Sequence, residues 1–304
     1  MQIFEYIVPI TEYTAVALGF FDGVHSGHRA VIDRAVSCKK QGLCPVVMTF
    51  SESPRSILSG KTGDMLQTNQ EKCRMLETIG VEKLFLEDFD RIRRLSPEAF
   101  VREIIVEKLN AKEVFCGFNY HFGKNGAGNG ETLVKLCEKF GVKAQVIPPV
   151  TVDGRVVSST EIRSLLKNGK IKEANRLLGY DFSISQEVIH GNHIGKDMGF
   201  PTINQRTKSG VILPKFGVYA SLAEFNGEKY FGVTNVGVKP TIGKYEPLYE
   251  TWMPDYKGGD LYGKTVTVAL KGFIRPERKF ESLDELKKTV LQNGEQARQM
   301  INLG

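Results

Sequence analysis

Between Gly19 and His28 the chain reads Gly-Phe-Phe-Asp-Gly-Val-His-Ser-Gly-His. His25 and His28 follow a glycine turn and precede a helical pattern, and their spacing of three puts both on one helical face. The first turn of such a helix offers free backbone N–H groups and the positive end of a dipole, which suits phosphate. Imidazoles there can donate hydrogen bonds to phosphoryl oxygens as negative charge builds. The plain alternative is a tight turn with incidental histidines. A lone glycine turn would favour it, whereas the paired H-x-G-H unit favours function. A second glycine-rich stretch runs from Gly191 through Gly195, Lys196, Gly199 and Pro201 to Thr202-Ile203-Asn204. Its backbone N–H groups can approach nucleotide phosphates closely. Thr202 and Asn204 are two apart, so in an extended segment their oxygens point the same way and can bind one Mg²⁺. His190 and His193 form an H-x-x-H pair, but no further His or Cys follows at ligand spacing, so they read as loop histidines.

The elements that must hold these residues change character along the chain. Thr14–Phe20, Pro45–Phe50, Lys83–Leu86, Val114–Gly117 and Lys143–Ile147 read as short buried strands. Helical patterns separate them: His28–Lys40, Thr68–Ile79 opened by a Thr68/Glu71 capping box, a helix capped by Ser96 with Pro97 at its first position, and Glu131–Phe140. That alternation predicts a parallel α/β sheet. From Ser183 to Gly272 the pattern becomes β-rich runs broken by Gly and Pro: Ser183–Ile189, Gly217–Phe225, Lys229–Val236 and Lys264–Leu270. Asn226-Gly227 between two of them is a hairpin signal, and the whole reads as a small antiparallel barrel or sandwich. A last helix starts at Ser282, with Glu285 completing a capping box. The expected domains are 1–180 and 183–304.

Composition fits this organisation. A chain of 304 residues allows about two domains, at ~150 residues each. The net charge of +6 suits anionic ligands such as nucleotides and is too scattered to argue for nucleic acid. Five cysteines without ligand spacing read as free thiols in a reducing cytosol. No apolar run approaches the ~18 residues of a membrane span, and no secretory signal opens the chain. The expectation is a cytoplasmic protein.

The Gly19–His28 segment resembles the signature of the nucleotidyltransferase superfamily, whose flavin branch reads G-x-F-D-G-x-H-x-G-H. Val157-Ser158-Ser159-Thr160-Glu161-Ile162-Arg163 resembles that superfamily's I-S-S-T-x-I-R run, with Val for Ile. The resemblance implies that Gly19, Phe20, Asp22, Gly23 and Gly27 form the ATP site with His25 and His28 at the α-phosphoryl group. Ser159 and Thr160 hydroxyls at a helix start, with the Arg163 guanidinium, would hold the leaving pyrophosphate. Asp22 has two open roles, organising the turn or a Mg²⁺, and capping its own turn. Gly117-Phe118-Asn119-Tyr120-His121-Phe122-Gly123 stands where the family has G-x-D-F-R-F-G in its flavin region, with Asn119 and His121 for Asp and Arg. Asn119, Tyr120 and Phe122 are the implied flavin-binding residues, although the three aromatics could equally pack at a strand end. Phe50-Ser51-Glu52-Ser53-Pro54 departs from the family's F-x-P-H-P by lacking its first Pro and its His.

The Gly191–Asn204 stretch resembles the riboflavin kinase element G-x-x-x-G-R-x-L-G-F-P-T-A-N, with Lys196 for Arg and Met198 for Leu. Asn235-Val236-Gly237-Val238-Lys239-Pro240-Thr241 resembles N-x-G-x-R-P-T, and Arg275–Phe280 matches R-x-E-x-K-F. Tyr249-Glu250-Thr251-Trp252 followed by Asp260-Leu261-Tyr262-Gly263 is similar to E-T-[HY] with D-L-Y-G, with Trp252 for His or Tyr, which implies Glu250 as catalytic base, with Trp252 and Arg275 at the flavin. The resemblance covers nearly the whole chain, to the bacterial bifunctional riboflavin kinase/FAD synthetase family. It implies a Rossmann-like adenylyltransferase domain, a β-barrel kinase domain with a terminal helix, and ATP, riboflavin, FMN and Mg²⁺ as ligands. Two rivals keep the fold. One is a kinase with weak or lost adenylyltransferase, suggested by Asn119, His121 and Ser53. The other is a flavin-sensing regulator, opposed by intact His25, His28, Thr202, Asn204 and Glu250.

Overall fold

The apolar runs of the first half pair into one parallel sheet. Its strands are β1 (Gln2–Phe4), β2 (Thr14–Leu18), β3 (Cys44–Phe50), β4 (Lys83–Glu87), β5 (Ala111–Gly117) and, after the ribbon β6–β7 (His121–Phe122 with Gly128–Asn129), β8 (Lys143–Ile147). The order is β1-β4-β3-β2-β5-β8. Every residue of β2 is buried because helices cover both faces of the sheet. Val16 and Leu18 join one apolar cluster with Phe100, Ile104 and Leu133, while Ala15 and Ala17 join the other with Val31, Ile32 and Leu76. This is the period of two expected of a strand. A hairpin, β9–β10 (Thr151–Val152 with Arg155–Val156), follows.

The computed structural model describes residues 1–60, 64–191, 199–241 and 244–302, which divide by contacts into Met1–Ser159 and Thr160–Gly304. The helices are α1 (Ser26–Ser37), α2 (Pro54–Ser59), α3 (Asn69–Ile79), α4 (Phe89–Ile92), α5 (Pro97–Ala99), α6 (Gly130–Lys139), α7 (Ser159–Lys167), α8 (Ile171–Leu178) and α9 (Leu283–Asn302). The capping box of α3 forms as expected, and Ser96 caps α5, which continues as π-helical turns over Phe100–Lys108.

The β-rich half closes into an antiparallel barrel of β11 (Ser183–Ile189), β12 (Thr202–Arg206), β13 (Gly217–Phe225), β14 (Glu228–Thr241), β15 (Lys244–Trp252) and β16 (Thr265–Arg275), in the order β11-β12-β15-β14-β13-β16. Closure removes the unpaired edges that a short antiparallel sheet would expose. Asn226 and Gly227 both take positive φ, 52° and 80°, which gives the tight hairpin between β13 and β14. The barrel interior includes a buried hydroxyl chain from Ser221 to Thr234 (2.7 Å) to Thr251 (2.8 Å). Helix α9 covers part of the outside, burying Ala297 against Val218, Ala220 and Val233. Ser282 Oγ accepts from Glu285 N (3.1 Å), whereas the Glu285 carboxylate reaches Glu281 N (3.0 Å) and not Ser282 as the expected box required.

Candidate functional sites

In the parallel sheet, the chain leaves β2 toward β3 and β4 and returns to β5 on the other side. The C-terminal ends of β2 and β5 therefore form a topological switch point, where open α/β sheets bind ligands. Leu18, the last residue of β2, lies opposite Met48 of β3 and Cys116 of β5. The Gly19–His28 turn, the Ser51–Pro54 segment and Phe118–Asn119 all leave this one edge. The turn is tightly wound: Phe21, Gly23 and Val24 have φ of 54°, 84° and 35°. A Cβ at Gly19 would meet the Phe21 ring at 2.8 Å. Asp22 is buried, and its Oδ1 accepts from Leu66 N (2.9 Å), while its backbone oxygen accepts from Ser159 Oγ (2.9 Å). The Asp22 carboxylate thus ties this turn to Leu66, 44 residues on.

His25 is not inside α1 but caps it. Its φ/ψ of −65°/172° is extended, and its Nδ1 accepts from His28 N (3.2 Å). With Nδ1 accepting, the proton of the neutral ring sits on Nε2, and the ring as a whole is buried. The His25 and His28 rings stack with centroids 3.5 Å apart and planes 15° off parallel, and Phe21 meets His28 edge-on at 5.4 Å. A Cβ at Gly27 would come within 3.3 Å of the His25 ring, so glycine leaves that ring its place. The arrangement presents an imidazole pair at a helix N-terminus, a donor set for a phosphoryl oxygen.

Beyond β5, Phe118 and Asn119 are exposed, and His121 Nδ1 contacts Asn119 O at 3.1 Å. Tyr120 stacks on Phe122 at 5.8 Å, and Phe122 packs on Phe100 at 5.2 Å within the core. Burial beside Cys116 and Cys137 pushes the Tyr120 phenol up. Packing therefore occupies Tyr120 and Phe122, and Phe118 is the ring left facing outward.

On the barrel, strand register decides which side chains meet. Asn204 of β12 and Asn235 of β14 both pair directly with Glu250 of β15, so the three form one row across three strands. Thr202 pairs with Trp252 in the next row on the same face. Ile203 and Thr251 point the other way, into the barrel. Asn204 is buried, and its Oδ1 has no hydrogen-bond partner among the described residues. Gly191 admits this side chain, since a Cβ there would overlap Asn204 Nδ2. Gly199 has φ of 87°, and Gly199 and Pro201 are exposed before β12. Glu277 Oε1 accepts from Asn235 Nδ2 (3.2 Å) and lies against Gly237, where any Cβ would collide with it. Trp252 meets Phe200 edge-on at 5.0 Å and packs on Gly294 of α9. Arg275 is held by Asn293 Oδ1 (3.3 Å), and Arg278 by Thr289 Oγ1 (2.7 Å). Gly195 and Lys196, expected at the nucleotide, lie outside the described residues.

The comparisons follow this division. A family model described as FAD synthetase matches residues 8–161, and one described as riboflavin kinase matches 178–301. Proteins named bifunctional riboflavin kinase/FMN adenylyltransferase are similar over most of the chain. That of Bacillus subtilis is 35% identical, covering 93% of this chain and 91% of its own. That of Listeria monocytogenes is 36% identical over 91% of each chain. That of Escherichia coli is 33% identical, covering 96% of this chain and 94% of its own. The chain belongs to the bifunctional riboflavin kinase/FMN adenylyltransferase family.

A solved structure from Streptococcus pneumoniae shares the family fold, at TM-score 0.87 and 31% identity over 97% of this chain and 98% of that one. It is described as a macrolide-efflux protein. Among the described residues of the present chain, no helix is long and apolar enough to cross a membrane. Within this bifunctional family, the sequence signatures of the chain fall on elements suited to them. Ser159 opens α7, and Thr160 and Arg163 follow on that helix. Sequence reasoning missed Lys72, Gln67 and Glu277. Lys72 and Gln67 are buried under the Gly19–His28 turn, where Gln67 Nε2 donates to Phe21 O (3.5 Å). Glu277 stood inside a recognised motif without a role. For Lys72 the available signal was its place four residues before the buried Leu76, on the inner face of α3.

Proposed function

We propose that this chain phosphorylates riboflavin to FMN on the barrel and adenylates FMN to FAD at the Gly19–His28 turn, with ATP as co-substrate in both steps. The observation that carries this reading is that each half, matching its own family model, presents a separate set of groups suited to a triphosphate. The FMN phosphate attacks the α-phosphorus of ATP in line, and pyrophosphate leaves, so the protein's task is positioning and charge stabilisation. His25, through Nε2–H, and His28 donate to the α-phosphoryl oxygens. Ser159, with Thr160 and Arg163 on the same helix, serves the leaving pyrophosphate. Asn119 and the exposed Phe118 are assigned to the flavin, with Tyr120 and Phe122 supporting them from the core. In the kinase step, Glu250 takes the proton of the riboflavin 5′-hydroxyl as that oxygen attacks the γ-phosphorus. Trp252 and Arg275 border the flavin, and Gly191, Gly195, Lys196, Gly199 and Pro201 line the nucleotide.

Mg²⁺ fits the barrel row. The buried Asn204 Oδ1, without a hydrogen-bond partner among the described residues, forms with Thr202 on the same face an oxygen donor set for a hard cation. Thr202 and Asn204 would hold the ion, which would neutralise triphosphate charge. We draw the activity boundary between 1–180 and 183–304. A cytoplasmic setting suits the five free thiols. The deciding experiment incubates purified protein with riboflavin, ATP and Mg²⁺ and separates the products. FMN followed by FAD is expected. FMN without FAD would favour the kinase-only rival, and no ATP-dependent conversion would favour the regulator.

A further inference from the structure

Lys72 has no part in either step as described, yet it is fully buried beside the Gly19–His28 turn. Its Nζ donates to the backbone oxygens of Phe20 (3.2 Å) and Phe50 (3.5 Å) and lies 4.6 Å from the centre of the Phe20 ring. Thr49 Oγ1 donates to the same Phe20 oxygen at 2.8 Å. One buried cation thus ties α3 to the turn after β2 and to the end of β3, two of the segments at the switch point. Such a group is costly. Burial pulls its pKa from 10.5 down to about 8, against a smaller opposing effect of the Asp22 charge. An apolar residue would fill the inner face of α3 without that penalty.

We propose that Lys72 is a positioning residue for adenylyl transfer: its ammonium group fixes the Phe20 carbonyl against the end of β3 and keeps the Gly19–His28 turn set for a triphosphate. The proposal rests on reading that turn as the adenylyltransferase site. The charged and titratable groups that act on Lys72 are Asp22 within the turn and Cys73, its neighbour on α3. A neutral Lys72 fills the same space but grips the two carbonyls less strongly, because charge-assisted hydrogen bonds are the stronger kind. Loss of the proton therefore loosens the turn without removing the side chain.

The test uses the full chain and measures both steps for wild type, Lys72→Met and His28→Ala. Lys72→Met should raise the KM for ATP in FAD formation on the order of tenfold. Its riboflavin phosphorylation should stay within twofold of wild type. From about pH 7 to about pH 9.5, the wild-type KM for ATP in FAD formation should climb, while that of Lys72→Met stays level. A Lys72→Met protein with wild-type KM and the wild-type pH profile overturns the proposal. If Lys72→Met does not fold, the wild-type profile decides alone, and a level KM overturns it. His28→Ala separates the two readings. If it forms FAD normally, or if wild type forms none, the site assignment fails and the Lys72 proposal with it. If His28→Ala loses FAD formation and Lys72→Met does not, the Lys72 proposal fails alone.

Discussion

The two regions proposed to handle phosphate are built from opposite materials. The turn after β2 works through backbone groups and its imidazole pair. The charged groups beside it, Asp22 within the turn and Lys72 on α3, are buried and hold it in place. The barrel row works through side chains, with Asn204, Glu250 and Asn235 as cross-strand neighbours on one face. A helix N-terminus is already an anion site and needs no added cation. A row of oxygen donors repels a triphosphate unless a cation joins it. The turn should therefore depend on buried support, and the barrel on its outward side chains and on Mg²⁺.

The largest break in that comparison is expected from Glu250→Gln, which keeps the shape and removes the base. Riboflavin phosphorylation should drop by roughly 10²–10⁴-fold with FAD formation from added FMN nearly unchanged, as read by product separation. His28→Ala should do the reverse, cutting FAD formation by about 10²–10³-fold in the same assay. A smaller loss, on the order of tenfold to a hundredfold in phosphorylation, is expected from Gly191→Ala. The added methyl would displace Asn204 from its row, and titrating Mg²⁺ should show a raised requirement.

The smallest effect is a matter of stability. Lys72 titrates at about 8 in the folded chain and at 10.5 otherwise, so between those values the unfolded chain binds more protons and stability rises with pH. Cys44 and Cys116, pushed from 9.0 to about 11 by burial, act in the opposite sense above pH 9. From about pH 7.5 to about pH 9, wild type should therefore gain about 1 kcal/mol relative to Lys72→Met in urea unfolding.

The sequence was legible where chemistry is local. The βα alternation, the Thr68/Glu71 box and the Asn226-Gly227 hairpin all follow from short-range spacing, and they formed. The H-x-G-H unit placed two imidazoles at a helix start, although not that His25 would be the cap. Its extended backbone depends on how the preceding turn is wound. Tyr120 and Phe122 could not be sorted from Phe118 by alternation alone, because the core that takes them is built from Phe100 and Cys137, distant in the chain.

By itself, then, the order of residues determined the kinds of elements, their two families of motif and the chemistry each motif can perform. Tertiary structure alone decided which groups meet. Helical spacing can put Lys72 on the inner face of α3, but only the fold brings to it carbonyls 52 and 22 residues away. Glu250 gains Asn204 and Asn235 as neighbours only through strand register. Periodicity is a property of neighbouring residues, whereas register and burial are set by the packing of distant segments against one another.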